Sequence, residues 1–188
     1  GDPSNNTTTT SVVIATSPGV GTALEAGAIL DHGDGTFSVP FTLLIQNTGN
    51  QNLHDLQLVD DLTAVFGAFQ AASGDVNAPG EYAITTAPAF SSNTTDPLVL
   101  NTGYNGAGDT QLFDIASGGS LPVGESAAVT FTITFFPDPS NSPYTNQATG
   151  SGDTINNGDT NTGDGVSDLS HAGSDPDPDN DGDATNNN

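Results

Sequence analysis

The sequence contains no lysine and no arginine, although 23 of its 188 residues are aspartate or glutamate, so its formal net charge is −23 at pH 7. Ordinary proteins mix charges of both signs. Conventional salt bridges are excluded here, because only three histidines and a chain terminus can carry positive charge. Each carboxylate must be solvated, accept hydrogen bonds from backbone or hydroxyl groups, or be neutralised by ions. The same charge repels nucleic acid and anionic membranes, so we expect neither as a partner.

Cysteine and tryptophan are also absent, and only three tyrosines are present. Without cysteine there is no disulfide framework, thiol chemistry or thiolate metal site. No apolar run is long enough to span a bilayer, so we expect no direct membrane insertion. The chain has no G-x-S-x-G motif and no basic group for an oxyanion or phosphate. A carboxylate pair of the glycosidase kind is not expected either, because the densest acids lie in the least apolar segment. We predict that the chain is not an enzyme.

Hydrophobic residues are concentrated in the first 150 residues. Leucine, isoleucine, valine and phenylalanine number 40, and only Ile155, Val166 and Leu169 of these follow residue 150. The remaining 37 are enough for one core of sandwich size. The segment after residue 150 cannot fold by hydrophobic burial alone.

The body of the chain has the two-residue period of β-strands. Alternate positions are apolar over 37–45 and again over 129–135. The positions between them hold Ser38, Pro40, Thr42 and Leu44 in the first stretch and threonines in the second. This alternation predicts half-buried strands. Pro40 cannot donate to a ladder and predicts an edge or a bulge. Clusters of glycine, proline, asparagine and aspartate predict turns between strands, including a hairpin at "DHGDG" in which Asp34 and Gly35 supply positive φ angles. Further candidate strands are 9–16, 23–30, 53–60, 81–86, 97–101, 111–116 and 144–149, and 62–72 is either a helical turn or strand and loop.

The composition changes near residue 150. Nine of the 23 acidic residues follow it, in a segment rich in asparagine and glycine. The chain also begins "GDPSNN" and contains "GDATNN" at 182–187, which predicts that 1–6 is the end of a preceding copy. We therefore predict three parts: a junction at 1–6, a β-sandwich at 7–150, and an acidic junction segment at 151–188.

Three stretches together resemble the conserved-repeat, immunoglobulin-like domains of long tandem-repeat bacterial cell-surface proteins. They are "FTLLIQNTGNQNLHDLQLVDDL" at 41–62, "GSLPVGESAAVTFTITF" at 119–135 and "YTNQATGSG" at 144–152. Aspartate-rich ends of the D-P-D-P-D-x-D-G-D kind also recur in that family. The chain departs from it in lacking basic residues and in an insert-like region at about 70–110. The resemblance implies an all-β, immunoglobulin-like antiparallel sandwich of about seven to nine strands, in an extracellular structural module without catalytic residues.

The C-terminal aspartates are the candidate metal ligands. Asp177, Asp179, Asp181 and Gly182 form D-x-D-x-D-G, the first half of a calcium loop, in which alternate carboxylates converge on a hard cation. Position twelve would be Asn188, which lacks the bidentate carboxylate of an EF-hand. We therefore expect a looser calcium site, drawn from Asp168, Asp175, Asp177, Asp179, Asp181 and Asp183. The alternative is a solvated spacer, kept extended by its prolines.

Other acidic residues have simpler interpretations. Asp31 and Asp34 are expected to form the hairpin turn, with calcium there as the minor alternative. Asp60 and Asp61 would point to opposite faces of a strand, so that one caps a turn while the other meets an ion. Asp109 and Asp114 are expected in a polar loop that runs into a strand. The three histidines are expected to be surface residues, because they have no metal-ligand spacing.

These patterns predict a structural repeat of a secreted or surface-displayed bacterial adhesin stalk or filament, made rigid by calcium at its acidic junction. Its partners would be adjacent copies of the same domain. One alternative is a self-assembling extracellular fibre subunit joined by strand addition. Another, less favoured because aromatic residues are few, is a carbohydrate- or ice-binding module that uses threonine-rich strand faces.

Overall fold

The computed structural model describes residues 15–158, 165–179 and 184. Three of the ten strands in these residues are only two residues long, so seven strands carry most of the pairing. The elements are β1 Val20–Ala26, β2 Leu30–Asp31, β3 Phe37–Asn47, β4 His54–Asp60, α1 Leu62–Phe66, β5 Ala68–Phe69, β6 Glu81–Ser92, β7 Ser126–Phe136, β8 Ala148–Asp153, β9 Gly165–Leu169 and β10 His171–Ala172.

The strands form two sheets that pack face to face. The larger sheet has the order β10-β1-β3-β7-β6-β5, with β2 also paired to β3, and the smaller has the order β4-β8-β9. Most neighbouring strands are antiparallel, whereas the β1–β10 and β5–β6 pairs are parallel. The chain is therefore mostly β, and its sheets are arranged like a sandwich, which confirms this part of the predicted fold class.

The core lies between the sheets and follows from the alternation in the sequence. In β3 every second side chain is buried from Val39 to Asn47, as the predicted face at 37–45 requires. β7 contributes a matching inward row, and β4 supplies the facing leucines. The largest buried aliphatic and aromatic side chains are Tyr82, Phe131, Leu43, Ile45, Leu53, Leu58, Leu62, Leu112, Leu121 and Ile133.

Two local predictions on β3 and its hairpin need correction. Pro40 lies on an interior strand, paired with Thr132 of β7, so the edge alternative is wrong. The bulge alternative fits the register, because residues 27–29 of the neighbouring chain lie opposite residues 39 and 40, between the pairs Ala26–Phe41 and Leu30–Ser38. Pro40 has no amide to donate there, but its carbonyl accepts from the Gly27 amide at 2.8 Å. In the hairpin the positive φ angles belong to Gly33 and Gly35, at 76° and 97°, and Asp34 does not share them.

The other predicted elements have different outcomes. The helical turn predicted within 62–72 is present as α1 and is followed by the short β5. The strands predicted at 97–101 and 111–116 are reduced to isolated bridges, such as the one between Leu100 and Phe113. Most of the strand predicted at 9–16 lies outside the described residues, and so does the junction predicted at 1–6.

The sheets continue past the boundary predicted at residue 150. β8 crosses that position. β9 pairs with β8 in an antiparallel register that places Asp168 opposite Gly150. Ser170 then carries the chain into the larger sheet: its amide donates to the Ala148 carbonyl at 2.7 Å, and β10 follows beside β1. The acidic C-terminal region therefore begins as part of the sandwich.

β1 and β8 approach each other closely where this crossing occurs. A Cβ added at Gly150 would lie 2.0 Å from Thr22 Oγ1, so only glycine fits at that position. The alternating small residues of "ATGSG" let the edges of the two sheets come together. This contact places the acidic segment, which follows β10, beside β1.

Candidate functional site

The structure describes four of the six predicted calcium ligands and does not bring them together as one set. Asp168 is buried on β9, where its Oδ2 accepts a 2.7 Å hydrogen bond from the Thr22 amide. Asp175 is exposed, and its Oδ1 accepts from the Asp177 amide at 3.1 Å. Asp177 is partly buried and Asp179 is exposed. In the described ranges there is no group of three or more acidic or histidine side chains that could hold a metal ion. Asp181 and Asp183 lie outside the described residues.

The two sides of the acidic segment pack against the same point on β1. A Cβ added at Gly21 would lie 2.8 Å from the Ala184 Cβ and 3.0 Å from the Pro176 Cβ. Pro176 is buried, and Ala184 is only 2% exposed. Pro176 and Ala184 therefore both lie beside Gly21 of β1.

Backbone amides take the place of basic partners for several other carboxylates. Asp55 Oδ2 accepts from the Asn157 and Gly158 amides at 2.8 Å each. Glu81 Oε2 accepts from the amides of residues 77 and 78 at 2.9 Å each. At Asp138, hydrogen bonds from the Ser140 backbone amide and then its hydroxyl lower the carboxyl pKa. Such bonds favour the charged form without a cation.

The hairpin carboxylates are used in the same way. Asp31 Oδ1 accepts from the Gly33 amide at 2.8 Å. Asp34 Oδ1 accepts from the Thr36 amide and hydroxyl, and the hydroxyl bond is the main reason why the Asp34 pKa is lowered. These contacts bear out the turn interpretation of both residues. Asp109 and Asp114 likewise serve loops: Asp109 accepts from the Asn101 side chain, and Asp114 caps a short 3₁₀ turn.

The adjacent pair Asp60 and Asp61 divides as the strand geometry predicts. Asp61 is exposed, and its Oδ1 caps α1 by accepting from the Ala64 amide at 3.2 Å. Asp60 is fully buried at the end of β4. The prediction that one of the two caps a turn is confirmed, whereas an ion at the other stays a prediction.

Asp60 has the most unusual environment among the described carboxyl groups. Burial raises its pKa to about 7, and the neighbouring Asn146 and Tyr104 side chains oppose that rise. Asn146 Nδ2 donates to Asp60 Oδ2 at 3.2 Å, but Asp60 Oδ1 and Asn146 Oδ1 are both buried without a hydrogen-bond partner. The Tyr104 pKa is raised, first by its own burial and then by the negative charge of Asp60. Local sequence does not predict this cluster, because Asp60 and Asn146 lie in two different motifs, the D-D-L end of the 41–62 stretch and the start of "YTNQATG".

A cavity of about 840 Å³ opens next to this cluster, between the end of β1 and the 142–147 segment. Its walls are mostly apolar. Phe66 and Tyr144 stack at 5.5 Å between ring centroids, and Phe135 meets each of them edge-on. Asn146 also lines the cavity, and its side chain is the one that donates to Asp60.

Comparisons with known proteins give no relative. No protein-family model matches the chain, and no curated protein matches it either. The structure does locate the three motifs: 41–62 covers the β3–β4 turn and the start of α1, 119–135 leads into β7, and 144–152 leads into β8. Among the described residues, no helix is long and apolar enough to cross a membrane.

Proposed function

We propose that the chain is a non-enzymatic structural repeat of a secreted or surface-displayed bacterial stalk or filament, with an immunoglobulin-like sandwich and an acidic junction ordered by calcium. Adjacent copies of the same domain are its partners. The observation that carries the proposal is the packing of Pro176 and Ala184 on Gly21, because it ties both sides of the acidic segment to the first strand of the sandwich.

The same corner of the molecule receives the start of the described chain. The Asn50 amide donates to the Ser17 carbonyl at 2.9 Å, and the Thr48 amide donates to the Gly19 carbonyl at 3.1 Å. Thr48 Cγ2 would lie 3.2 Å from a Cβ on Gly21. In a tandem array, the segment that arrives from one copy and the acidic segment that leads to the next would therefore meet close together. This arrangement suits a junction whose stiffness depends on a bound ion.

Calcium fits the chemistry of this junction better than an organic cation does. The chain has no lysine or arginine to neutralise the aspartates of 175–183, so a bound cation would relieve the repulsion among them. Calcium takes six to eight oxygen ligands in flexible geometry, which carboxylates and backbone carbonyls can supply together. Asp168, Asp175, Asp177, Asp179, Asp181 and Asp183 remain the candidate ligands. Of these, Asp168 is the least suited, because its Oδ2 already holds the Thr22 amide.

The proposal is tested by thermal unfolding in chelator and in millimolar calcium at matched ionic strength. A ligand present at 100 times its dissociation constant stabilises a protein by about 2.7 kcal/mol, so a clear rise in Tm is expected. The triple variant Asp177→Asn, Asp179→Asn, Asp181→Asn should lose that rise. The matched control Glu25→Gln, Asp31→Asn, Asp75→Asn removes the same charge elsewhere on the exposed surface and should keep it. The same Tm in chelator and in calcium would reject the calcium junction. An equal rise in Tm with monovalent salt would show that the effect is only screening of the carboxylate charges.

A further inference from the structure

Asp60 and Asn146 present two buried acceptor oxygens that nothing in the described chain satisfies. Asp60 is 0% exposed, and its Oδ1 has no hydrogen-bond partner. Asn146 Oδ1 is buried and also without one. The two side chains are joined to each other through Asn146 Nδ2 and Asp60 Oδ2, at 3.2 Å. Leaving a buried acceptor unpaired is destabilising, and more so for a charged group. The pair therefore favours a ligand that brings donors, and a positive charge suits it best.

The described chain places no donor on these two oxygens. It contains no lysine or arginine, so no side chain of this protein can bring an ammonium or guanidinium group to Asp60. The Tyr104 hydroxyl lies 3.5 Å from the Asp60 backbone carbonyl, so its long hydrogen bond goes to the backbone and not to Oδ1. A metal ion is less suited, because Asp60 belongs to no cluster of three or more acidic or histidine side chains among the described residues. A bound molecule can supply the donor.

The neighbouring cavity defines what that molecule carries. Its aromatic lining includes Phe41, Phe66, Phe135 and Tyr144, and Glu25, Asn146 and His171 also line it. An aliphatic stem would be buried against these rings, and a positive charge next to aromatic faces gains a further cation–π attraction. A primary ammonium has three donors, which is enough for both unpaired oxygens. A flat guanidinium, which has five donors in a rigid fork, would leave most of them unpaired beside two acceptors.

We propose that this cavity binds a primary alkylammonium group, with its hydrocarbon stem against Phe66, Phe135 and Tyr144 and its nitrogen donating to Asp60 Oδ1 and Asn146 Oδ1. The Asn146 side chain rotates to admit the nitrogen, because both oxygens are closed to solvent. The group is supplied by a lysine side chain of a different protein or by a free alkylamine. Residues 170–173, which lead into the acidic segment, line the cavity, but none of the four described calcium candidates does.

The test uses n-butylamine as the probe and follows the Asn146 side-chain amide and the Asp60 carboxyl carbon by NMR titration of the whole chain. Binding should saturate, and both signals should shift. Because a chain of net charge −23 attracts any cation, the titration is run at constant ionic strength and repeated with sodium chloride alone and with n-butanol, which has the same stem without the charge. Butylamine should bind at least tenfold more tightly than butanol.

Two variants decide between the site and nonspecific attraction. Asp60→Asn keeps the shape and should weaken butylamine binding at least tenfold, whereas Asp61→Asn removes the same charge one residue away and should leave it within twofold. A second variant, Asn146→Leu, removes the other acceptor and should also abolish saturable binding while its melting curve verifies folding.

A lysine-containing tripeptide that binds like butylamine would assign the group to a partner protein, and a tripeptide that does not bind would assign it to a free amine. Equal binding of butylamine by Asp60→Asn and the unmodified chain, or equal binding of butanol and butylamine, would overturn the proposal.

Discussion

The Thr22 amide donates a 2.7 Å hydrogen bond to Asp168 Oδ2, although the two residues are 146 positions apart. This bond joins β1 of the larger sheet to β9 of the smaller one. Thr22 is 0% exposed and Asp168 is 6% exposed, so the bond is screened from water. Asp168, which the sequence pattern predicts as a calcium ligand, is thus a hydrogen-bond acceptor inside the sandwich, where it joins the edges of the two sheets.

We expect Asp168→Ala to destabilise the chain even in chelator, because it leaves the Thr22 amide buried without an acceptor. Removing one partner of a buried hydrogen bond costs about 1–3 kcal/mol, and a charged acceptor lies toward the upper end. Chemical denaturation in chelator measures this loss. Asp175→Ala, at an exposed position, is the control and should change stability by less than about 0.5 kcal/mol. If the two variants lose stability equally in chelator, the Asp168 bond is not structural.

Gly21 should be required for the docking of the acidic segment. A methyl group there would lie within 3.0 Å of both Pro176 and Ala184, so Gly21→Ala should displace the segment from β1. We expect the variant to keep its sandwich. The rise in Tm caused by calcium should be at least tenfold smaller than in the unmodified chain. Gly108→Ala, where an added Cβ meets nothing within 4 Å, is the matched control and should respond to calcium as the unmodified chain does. An unchanged calcium response in Gly21→Ala would separate ion binding from this contact.

Asp60 should make the folded state less stable as the pH rises. Its pKa is raised to about 7 by burial, above the value near 3.9 expected in the unfolded chain. Between these values the folded protein retains a proton that the unfolded chain has lost, so this contribution is complete below about pH 4 and is lost by about pH 7. A shift of this size corresponds to something on the order of 4 kcal/mol.

The measurement compares unfolding free energies at several pH values for the unmodified chain and Asp60→Asn. The difference between them should change by several kcal/mol between pH 4 and 7 and stay constant above that range. Asp61→Asn, which removes an exposed carboxylate, should follow the unmodified chain. A constant difference between the unmodified chain and Asp60→Asn across pH 4–8 would show that Asp60 ionises at its ordinary pKa.

Local patterns in the sequence were enough to predict much of the sandwich. Alternating apolar residues identify β3 and β7, because a half-buried strand buries every second side chain. One of the adjacent acids at 60–61 is predicted to cap a turn, and Asp61 does so at the start of α1. These features depend on neighbours only a few residues away.

Features that depend on distant partners cannot be predicted from local sequence. Composition groups Asp168 with the other aspartates, because its hydrogen-bond partner, Thr22, is far away in the sequence. The cluster of Asp60 and Asn146 joins residues 86 positions apart, and neither side chain is unusual in its local sequence. The strands expected at 97–101 and 111–116 contain suitable residues, but the other elements leave them only isolated bridges.

The junction prediction can be tested on two tandem copies of the chain joined in their natural register. If calcium orders the aspartates of 175–183 while Pro176 and Ala184 remain on Gly21, the following copy should hold one position relative to the start of β1. Without calcium the carboxylates repel one another, and the segment behaves as a charged, extended linker. Small-angle scattering should therefore show a narrow distribution of intercopy distances in calcium and a broad one in chelator. The Asp177→Asn, Asp179→Asn, Asp181→Asn variant should stay broad in both buffers, while the Glu25→Gln, Asp31→Asn, Asp75→Asn control should narrow like the unmodified pair. A distribution that ignores calcium, or a triple variant that still narrows, would leave the aspartates with the role of a solvated spacer, and any stiffness of the array would have to come from contacts between the sandwiches themselves.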